Sequence, residues 1–141
     1  MQKPPDDPGR RGVVAIIARG ERLLVIRRSG SVVAPGTFCF PGGGIEGNES
    51  EQEALVRELR EELAVSVRPL RRIWRSVTPW KVRLGWWLVE IEGEENPLAN
   101  PAEVESVHWY TAAEMARLDD LLPSNRQFLE LVNRGEIGLL P

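Results

Sequence analysis

A charged helix that follows a run of three glycines is the feature that most constrains the fold. Residues 53–62 read EALVRELREE, and Ser50 followed by Glu53 forms the pattern of a capping box, which predicts where the helix begins. The apolar residues of this segment recur every four positions: Leu55, Leu59 and Leu63. This spacing is typical of an amphipathic helix, and the leucines define the stripe at which the helix meets the body of the protein.

Glutamates crowd the edge of this apolar stripe. On a helical wheel of about 100° per residue, Glu62 falls within the stripe, while Glu58 and Glu61 lie to one side of it. Like charges at these spacings repel each other by about 0.2–0.5 kcal/mol per pair when exposed, and partial burial raises the cost. A hard divalent cation removes the repulsion, because Mg²⁺ takes oxygen ligands and is commonly held by carboxylates and substrate phosphates. Without their surroundings, the same glutamates are typical of a solvated helix face.

Strand patterns lie on both sides of the charged helix. Strands are predicted at Gly12–Arg19, Arg22–Arg28, Phe38–Phe40, Val65–Trp74, Val82–Ile91 and Val104–Tyr110, the first two as a hairpin. Further helices are predicted at Thr111–Leu118 and from a Ser124 cap to about Asn133, before Gly135. The three glycines either let the backbone come close to a ligand or a metal, or simply form a tight strand-to-helix turn. This mixture predicts an α/β sandwich with a mixed sheet.

Length and composition fit one ordinary domain. The chain has 141 residues, with 42% hydrophobic and 28% charged residues, and we expect a flexible segment over residues 1–11 followed by a single domain over 12–141. The net charge of −3 argues against a protein that coats nucleic acid or an anionic membrane. The polar start and the lack of a long apolar run give no sign of a leader or a membrane span, and the lone Cys39 excludes an internal disulfide. We therefore expect a cytoplasmic protein without a stable nucleic-acid partner, and no feature of the sequence decides between a monomer and a homodimer.

Residues 43–65, GGIEGNESEQEALVRELREELAV, resemble the signature of the Nudix hydrolases. The matching positions are Gly43, Glu49, Arg57, Glu58, Leu59, Glu61, Glu62 and Val65. Ala64 departs from the pattern, because the family usually has a glycine there, and we expect a different turn or modest strain at this residue. The resemblance covers about a sixth of the chain and implies the α/β/α sandwich of the family.

The resemblance also implies a reaction and a set of roles. It implies hydrolysis of a nucleoside diphosphate linked to another group, with Mg²⁺ or Mn²⁺ as the cofactor. Glu58, Glu61 and Glu62 match the metal-binding carboxylates of the family, and the carbonyl of Gly42 is a plausible further ligand. Glu49 and Arg57 match its supporting ion pair. The carboxylate that accepts the proton of the attacking water lies either on the helix, where Glu62 is the first choice, or on a later loop that carries Glu103 and Glu105.

The substrate pocket is less well marked. Four residues resemble positions of the MutT-like branch, which converts (deoxy)nucleoside triphosphates to monophosphate and pyrophosphate: Arg28, Phe40, Trp86 and Asn125. An amide suits a base edge because it offers both a donor and an acceptor. Trp86 is equally typical of a residue that packs in the core. Asn125 is also typical of a residue that stabilises the turn at the start of the last helix. Pro79 resembles a proline of ADP-ribose-cleaving members, and dinucleoside polyphosphates or a catalytically silent module that senses nucleotides are further alternatives.

A local group of arginines follows the charged helix: Arg68, Arg71, Arg72 and Arg75. Such a group could contact phosphates, including those of RNA. In an acidic chain it is more typical of a solvated strand end.

Overall fold

The computed structural model describes residues 10–139, and the strands and helices below belong to that part of the chain. The strands are β1 Arg11–Ile16, β2 Ala18–Arg19, β3 Arg22–Arg28, β4 Phe38–Cys39, β5 Gly42–Gly44, β6 Val67–Val77, β7 Arg83–Ile91 and β8 Val104–Thr111. The helices are α1 Glu51–Leu63, α2 Ala112–Ala116 and α3 Pro123–Asn133. The predicted flexible segment 1–11 lies outside the described residues except for its last two, of which Arg11 begins β1.

The strands form two sheets. The first has the order β5-β1-β7-β6, in which β1 and β7 are parallel and the other neighbours are antiparallel. In the second, β3 pairs with β2, β4 and β8. The mixed first sheet confirms the predicted α/β class. The predicted first hairpin is only partly present, because the chain breaks at Ile17: β1 joins the first sheet, and β2 alone pairs with β3.

The first sheet lies between two apolar clusters, which places a helix on each of its faces. Along β7, Trp87 packs in the cluster that contains Leu55, Leu59 and Leu63 of α1, whereas Trp86 packs in the cluster that contains Phe128 of α3. Adjacent residues of a strand point to opposite faces, so two layers of helix bury both tryptophans. This layering is the predicted sandwich, and it fixes α1 against β1, β5 and β7.

Helix α1 begins and ends where its sequence indicates. Ser50 accepts a hydrogen bond from the N–H of Glu53, and the Glu53 carboxylate accepts from the N–H of Ser50, so both halves of the capping box are present. Ala64 ends the helix in the left-handed conformation, at φ 55° and ψ 33°. The turn is therefore the one that glycine usually makes, and the alanine side chain strains it by about 1–2 kcal/mol.

Two predicted local features differ in the structure. Gly42–Gly44 is not a turn but strand β5, which pairs antiparallel with β1. Ser124 does not cap the last helix: the N-cap is Leu122, which makes no side-chain hydrogen bond, and Pro123 occupies the first turn. Proline has no N–H and its ring presets the helical φ, so this helix starts without a polar cap. None of the helices in the described part of the chain is long and apolar enough to cross a bilayer.

Candidate active site

The carboxylates of α1 lie directly against the backbone of β5. Glu62 is 6% exposed, and its Oε1 accepts a hydrogen bond of 3.0 Å from the N–H of Gly42. A Cβ placed on Gly43 would lie 2.3 Å from Cδ of Glu58 and 2.5 Å from both of its carboxylate oxygens. The Glu58 carboxylate therefore occupies the space that a side chain at position 43 would need, so only glycine allows this packing.

Arg57 connects the loop before the helix to the acidic face. Its Nε and Nη2 donate to the two carboxylate oxygens of Glu49 at 2.7 and 2.9 Å, and Nη2 also donates to the carbonyl of Gly44 at 2.8 Å. Its Nη1 donates to Glu58 at 3.0 Å and to Glu61 at 3.3 Å. Hydrogen bonds from Arg57 lower the pKa of Glu49 to about 2. The ion pair that the sequence predicts is thus formed, with the two-pronged geometry that only arginine offers.

Burial and mutual repulsion leave the neighbouring carboxylates poorly stabilised as anions. Burial is the main reason that the pKa of Glu58 rises to about 7, and the charges of Glu61 and Glu103 raise it further. Burial likewise raises the pKa of Glu62 to about 8, with additional repulsion from Glu58 and Glu103. Perturbed carboxylates of this kind cluster at functional sites.

Glu103 is the loop carboxylate that reaches this group. Its Oε2 is buried and has no hydrogen-bond partner among the described residues. The loop is held on the end of α1 because Asn100 donates its N–H to the Glu62 carbonyl at 2.9 Å and its side-chain N–H to the Glu61 carbonyl at 3.1 Å. The N–H of Ser29 in turn donates to the Glu103 carbonyl at 3.0 Å, so both sides of the loop fix its position.

Glu105, the loop residue predicted to be catalytic alongside the helix glutamates, lies elsewhere. Its carboxylate is 3.4 Å from Nε of Arg27, and its side chain is 56% exposed. The register of β8 on β3 shifts at this point, with Arg27 opposite Ser106 and Arg28 opposite Val104. Glu105 is thus the extra residue of a β-bulge, and bulges redirect side chains. Of the two loop candidates from the sequence, Glu103 is thus the one that lies beside the carboxylates of α1, and Glu105 lies against Arg27.

The acidic group has the chemistry of a divalent cation site. Hard cations prefer carboxylate oxygens, and an unpartnered buried oxygen on Glu103 beside the raised pKa values of Glu58 and Glu62 indicates charge that a cation would balance. Within residues 10–139, however, no three acidic, histidine or cysteine side chains converge on a common point. Arg57 explains this, since its Nη1 holds both Glu58 and Glu61. The side chains present nevertheless fit a divalent cation in their charge and in their oxygen donors.

Three of the four predicted substrate residues lie in the interior. Trp86 is fully buried and stacks on Phe128 with ring centroids 5.0 Å apart, and Phe40 is 4% exposed. Asn125 is 4% exposed, and its Oδ1 accepts the N–H of Phe40 at 2.8 Å. These side chains form part of the core between the first sheet and α3, so the structure does not place them on a surface that a base reaches.

Arg28 is the predicted substrate residue that lies beside the carboxylates. It is half-buried, its positive charge lowers the pKa of Glu62, and its Nε donates to the carbonyl of Val33 at 2.7 Å. Sequence reasoning missed the loop contacts that hold Glu103, made by Asn100 and Ser29. Both are ordinary turn residues that contribute backbone N–H groups, and Asn100 adds its side-chain amide, so their spacing in the chain gives no signal of the contacts.

Comparisons with known proteins agree with this arrangement. A sequence model described as the NUDIX domain matches residues 8–132. NAD-capped RNA hydrolase NudC of Pseudomonas entomophila strain L48 is 28% identical over 129 residues, which cover 90% of this chain and 45% of that protein. CTP pyrophosphohydrolase of Escherichia coli K12 is 45% identical over 53 residues, covering 38% of this chain and 39% of the relative.

A solved structure shares the fold. The crystal structure of a MutT protein from Methanosarcina mazei Go1 superposes with a TM-score of 0.73 at 20% identity, covering 89% of this chain and 94% of that one. The chain spans less than half the length of the NudC relative.

Proposed function

Because the chain belongs to the NUDIX domain family, we propose that it is a metal-dependent pyrophosphohydrolase that cleaves a nucleoside diphosphate linked to another group. The observation that carries the proposal is the cluster of Glu58, Glu62 and Glu103 against the backbone of β5. Few structural roles would favour three neighbouring carboxylates whose charges raise one another's pKa. A cation between these carboxylates and an anionic substrate would balance the charge of both.

The helix glutamates supply the cation site in this proposal. Glu58 and Glu62 hold Mg²⁺ or Mn²⁺, joined by Glu61 and the carbonyl of Gly42. When bound, such an ion neutralises phosphate oxygens and lowers the pKa of a coordinated water. Arg57 keeps Glu58 in place through its bond to Glu49 and the Gly44 carbonyl, so a shift of the loop would be felt at the metal ligands.

Glu103 is the group that we assign as general base. Glu62, the first choice from the sequence, has Oε1 committed to the N–H of Gly42, whereas Oε2 of Glu103 has no hydrogen-bond partner in the described part of the chain. An unengaged carboxylate oxygen beside the metal ligands is free to accept the proton of an attacking water. Arg28 lies close enough to affect Glu62 electrostatically and is placed to take a phosphate oxygen of the substrate.

The preferred substrate in this proposal is a (deoxy)nucleoside triphosphate, which is cleaved to monophosphate and pyrophosphate. The 45% identity to CTP pyrophosphohydrolase over 53 residues supports it, as does the resemblance of the sequence to the MutT-like branch. The second candidate is an NAD-type dinucleotide, on the strength of the likeness to NudC over 90% of this chain. ADP-ribose and dinucleoside polyphosphates share the same anhydride. The buried positions of Trp86 and Asn125 favour none of these, because neither side chain is exposed to a base.

A nucleotide panel with identified products tests the proposal. The protein is incubated with Mg²⁺ and, separately, with nucleoside triphosphates, NAD, ADP-ribose, dinucleoside polyphosphates and NAD-capped RNA. We expect pyrophosphate and a monophosphate from at least one triphosphate. Release of nucleoside monophosphates from NAD without action on triphosphates would establish the second candidate instead, and binding without turnover would indicate a silent sensor.

A pair of substitutions ties the activity to the proposed site. Glu58→Gln keeps the shape of the side chain but removes its charge, and we expect a loss of turnover on the order of 10²-fold or more. Glu21→Gln is the matched control, because Glu21 is exposed in the turn between β2 and β3. Equal activity of both variants at saturating Mg²⁺ would show that the reaction does not use this cluster.

A further inference from the structure

A second site lies at the other end of α1, near its first residue. A cavity of about 310 Å³ opens there between the helix start and the edge of the first sheet. It is lined by Arg11, Gly12, Ile45, Glu51, Arg75, Ser76, Val77, Arg83, Leu84 and Gly85. Glu51 precedes Glu58 by seven residues, which is about 10 Å along a helix axis, so the cavity is separate from the acidic cluster.

Three arginines from three neighbouring strands share this cavity. Arg11 of β1 lies opposite Arg83 of β7 in the parallel register, and Arg83 lies opposite Val77 of β6. Arg75 is two residues from Val77 on the same strand, so all three guanidinium groups project from one face of the sheet. Like charges on adjacent strands destabilise a sheet. Three arginines on one face of the same cavity therefore indicate a site for an anionic ligand.

No described carboxylate outside the cavity lining pairs with the arginines of this cavity. Across the described range 10–139, no carboxylate lies within ion-pair distance of Arg11, Arg75 or Arg83. The one carboxylate of the lining, Glu51, is already engaged: Oε1 accepts from Nε1 of Trp87 at 2.8 Å, and Oε2 lies 3.4 Å from Nη1 of Arg72. Among the described residues, the three arginines therefore give the cavity a net positive charge, although the whole chain is acidic.

An exposed aromatic residue follows the cavity lining along the chain, three residues after Val77. Strands β6 and β7 are joined by a tight turn, in which the N–H of Thr78 donates to the carbonyl of Val82. Trp80 lies at the tip of this turn and is 51% exposed, and Val77, which lines the cavity, is 65% exposed. The other eight tryptophan, phenylalanine and tyrosine residues pack in or against the two apolar clusters, so Trp80 is the exposed exception and offers a stacking plane close in the chain to the cavity lining.

We propose that this surface binds a single-stranded oligonucleotide, with its phosphates at Arg11, Arg75 and Arg83 and a base stacked on Trp80. Proteins that bind single strands combine a positively charged groove with aromatic planes, because each nucleotide presents both a phosphate and a ring face. The net charge of the whole chain argues against nucleic-acid binding, whereas this proposal concerns the local positive charge of one surface. The proposal stands independently of hydrolysis at the acidic cluster, because it concerns binding alone.

Fluorescence anisotropy of a labelled oligonucleotide of about 12 nucleotides measures the binding, in EDTA so that no turnover occurs. Each arginine on a phosphate contributes about 0.7 to the slope of log affinity against log salt, so the slope is expected near −2 for the natural sequence. The double variant Arg75→Ala, Arg83→Ala is expected to lower its magnitude by about 1.4. Trp80→Ala is expected to weaken binding on the order of 10-fold without changing the slope. RNA and DNA of one sequence, each single-stranded and duplex, identify the favoured form.

Arg117→Ala is the matched control, since Arg117 is exposed at the end of α2, away from the cavity lining. Thermal melts confirm that each variant is folded, and quenching of tryptophan fluorescence by the oligonucleotide provides a second readout that the Trp80→Ala variant loses. Failure of the natural protein to bind would overturn the proposal, as would variants that match Arg117→Ala. Equal competition by inorganic tripolyphosphate together with an unaffected Trp80→Ala variant would overturn it too, since that result describes an anion site without nucleic-acid recognition.

Discussion

Replacing Gly43 by alanine should disable the acidic cluster without unfolding the protein. The added Cβ would lie 2.3 Å from Cδ of Glu58, whereas ordinary contacts begin near 3.4 Å, so the carboxylate must move by about 1 Å. The groups within 2.5 Å belong to the end of a flexible side chain rather than to backbone, so Glu58 turns aside and β5 stays paired with β1.

The displacement of the Glu58 carboxylate should mainly lower the rate of the reaction. A misplacement of about 1 Å in a catalytic group lowers rates on the order of 10²-fold, which corresponds to about 2.7 kcal/mol of transition-state free energy. Glu58 also loses its 3.0 Å bond to Arg57, a partly buried charged contact worth about 1.5–3 kcal/mol. The alanine restricts the unfolded chain and returns about 0.4–1 kcal/mol. We therefore expect a net loss of roughly 1–2 kcal/mol in the free energy of unfolding.

Gly44→Ala is the matched control, because a Cβ at Gly44 would meet no atom within 4 Å and its φ is not positive. Turnover of the best nucleotide is measured for both variants at saturating Mg²⁺, together with urea unfolding. Gly43→Ala should lose turnover while keeping most of its stability, and Gly44→Ala should keep both. If both variants turn over as the natural protein does, the Glu58 carboxylate does not need the position seen here.

Three further outcomes follow from the same site. Glu103→Gln should lower the turnover number by about 10²-fold or more, whereas Glu105→Gln should change it little, and similar losses in both would refute the assignment of the base. In EDTA, the raised pKa of Glu62, about 8 against an ordinary 4.5, favours the protonated folded state. The stability that protonated Glu62 contributes is fully present below about pH 4.5 and is lost as the pH rises through 8. The melting temperature should therefore fall between about pH 5 and 8.5, and added Mg²⁺ should raise the melting temperature more at the higher pH. A flat profile in both conditions would contradict this. Ala64→Gly should stabilise the protein by about 0.5–1 kcal/mol, since the strain at φ 55° exceeds the entropy that glycine adds to the unfolded chain, and an unchanged midpoint in urea would count against that strain.

Local signals in the sequence predicted the acidic helix well. The capping box at Ser50 and the four-residue spacing of its leucines depend on residues within two turns of each other, so the chain near them suffices to define the helix. The burial of Glu62 follows from the same periodicity, because Glu62 lies only about 20° from Leu55 on the wheel and so borders the buried stripe. The bounds of β3 were predicted correctly for a similar reason, since its apolar run ends at charged residues on both sides.

The burial of the candidate substrate residues could not be predicted, because their surroundings come from distant parts of the chain. Alternation along β7 shows that Trp86 and Trp87 face opposite ways, but it does not show that α3 covers one face and α1 the other. The Oδ1 of Asn125 is satisfied by the N–H of Phe40, which precedes it by 85 residues. Only the packing of α3 brings these two groups together. In this structure Asn125, a candidate for contacting a base, supports the core.

The distinction between Glu103 and Glu105 shows how much a single residue of register decides. Strict alternation would place these two glutamates on the same face, so the sequence offers them as equals. The bulge opposite Arg27 and Arg28 adds one residue to β8, which directs Glu105 to Arg27 and leaves Glu103 beside the carboxylates of α1. The bulge depends on how β8 pairs with a strand some 80 residues earlier, so the pairing of the sheet decides which glutamate lies at the position of the proposed base. Deleting the extra residue of β8 should therefore abolish the difference in position between the two glutamates.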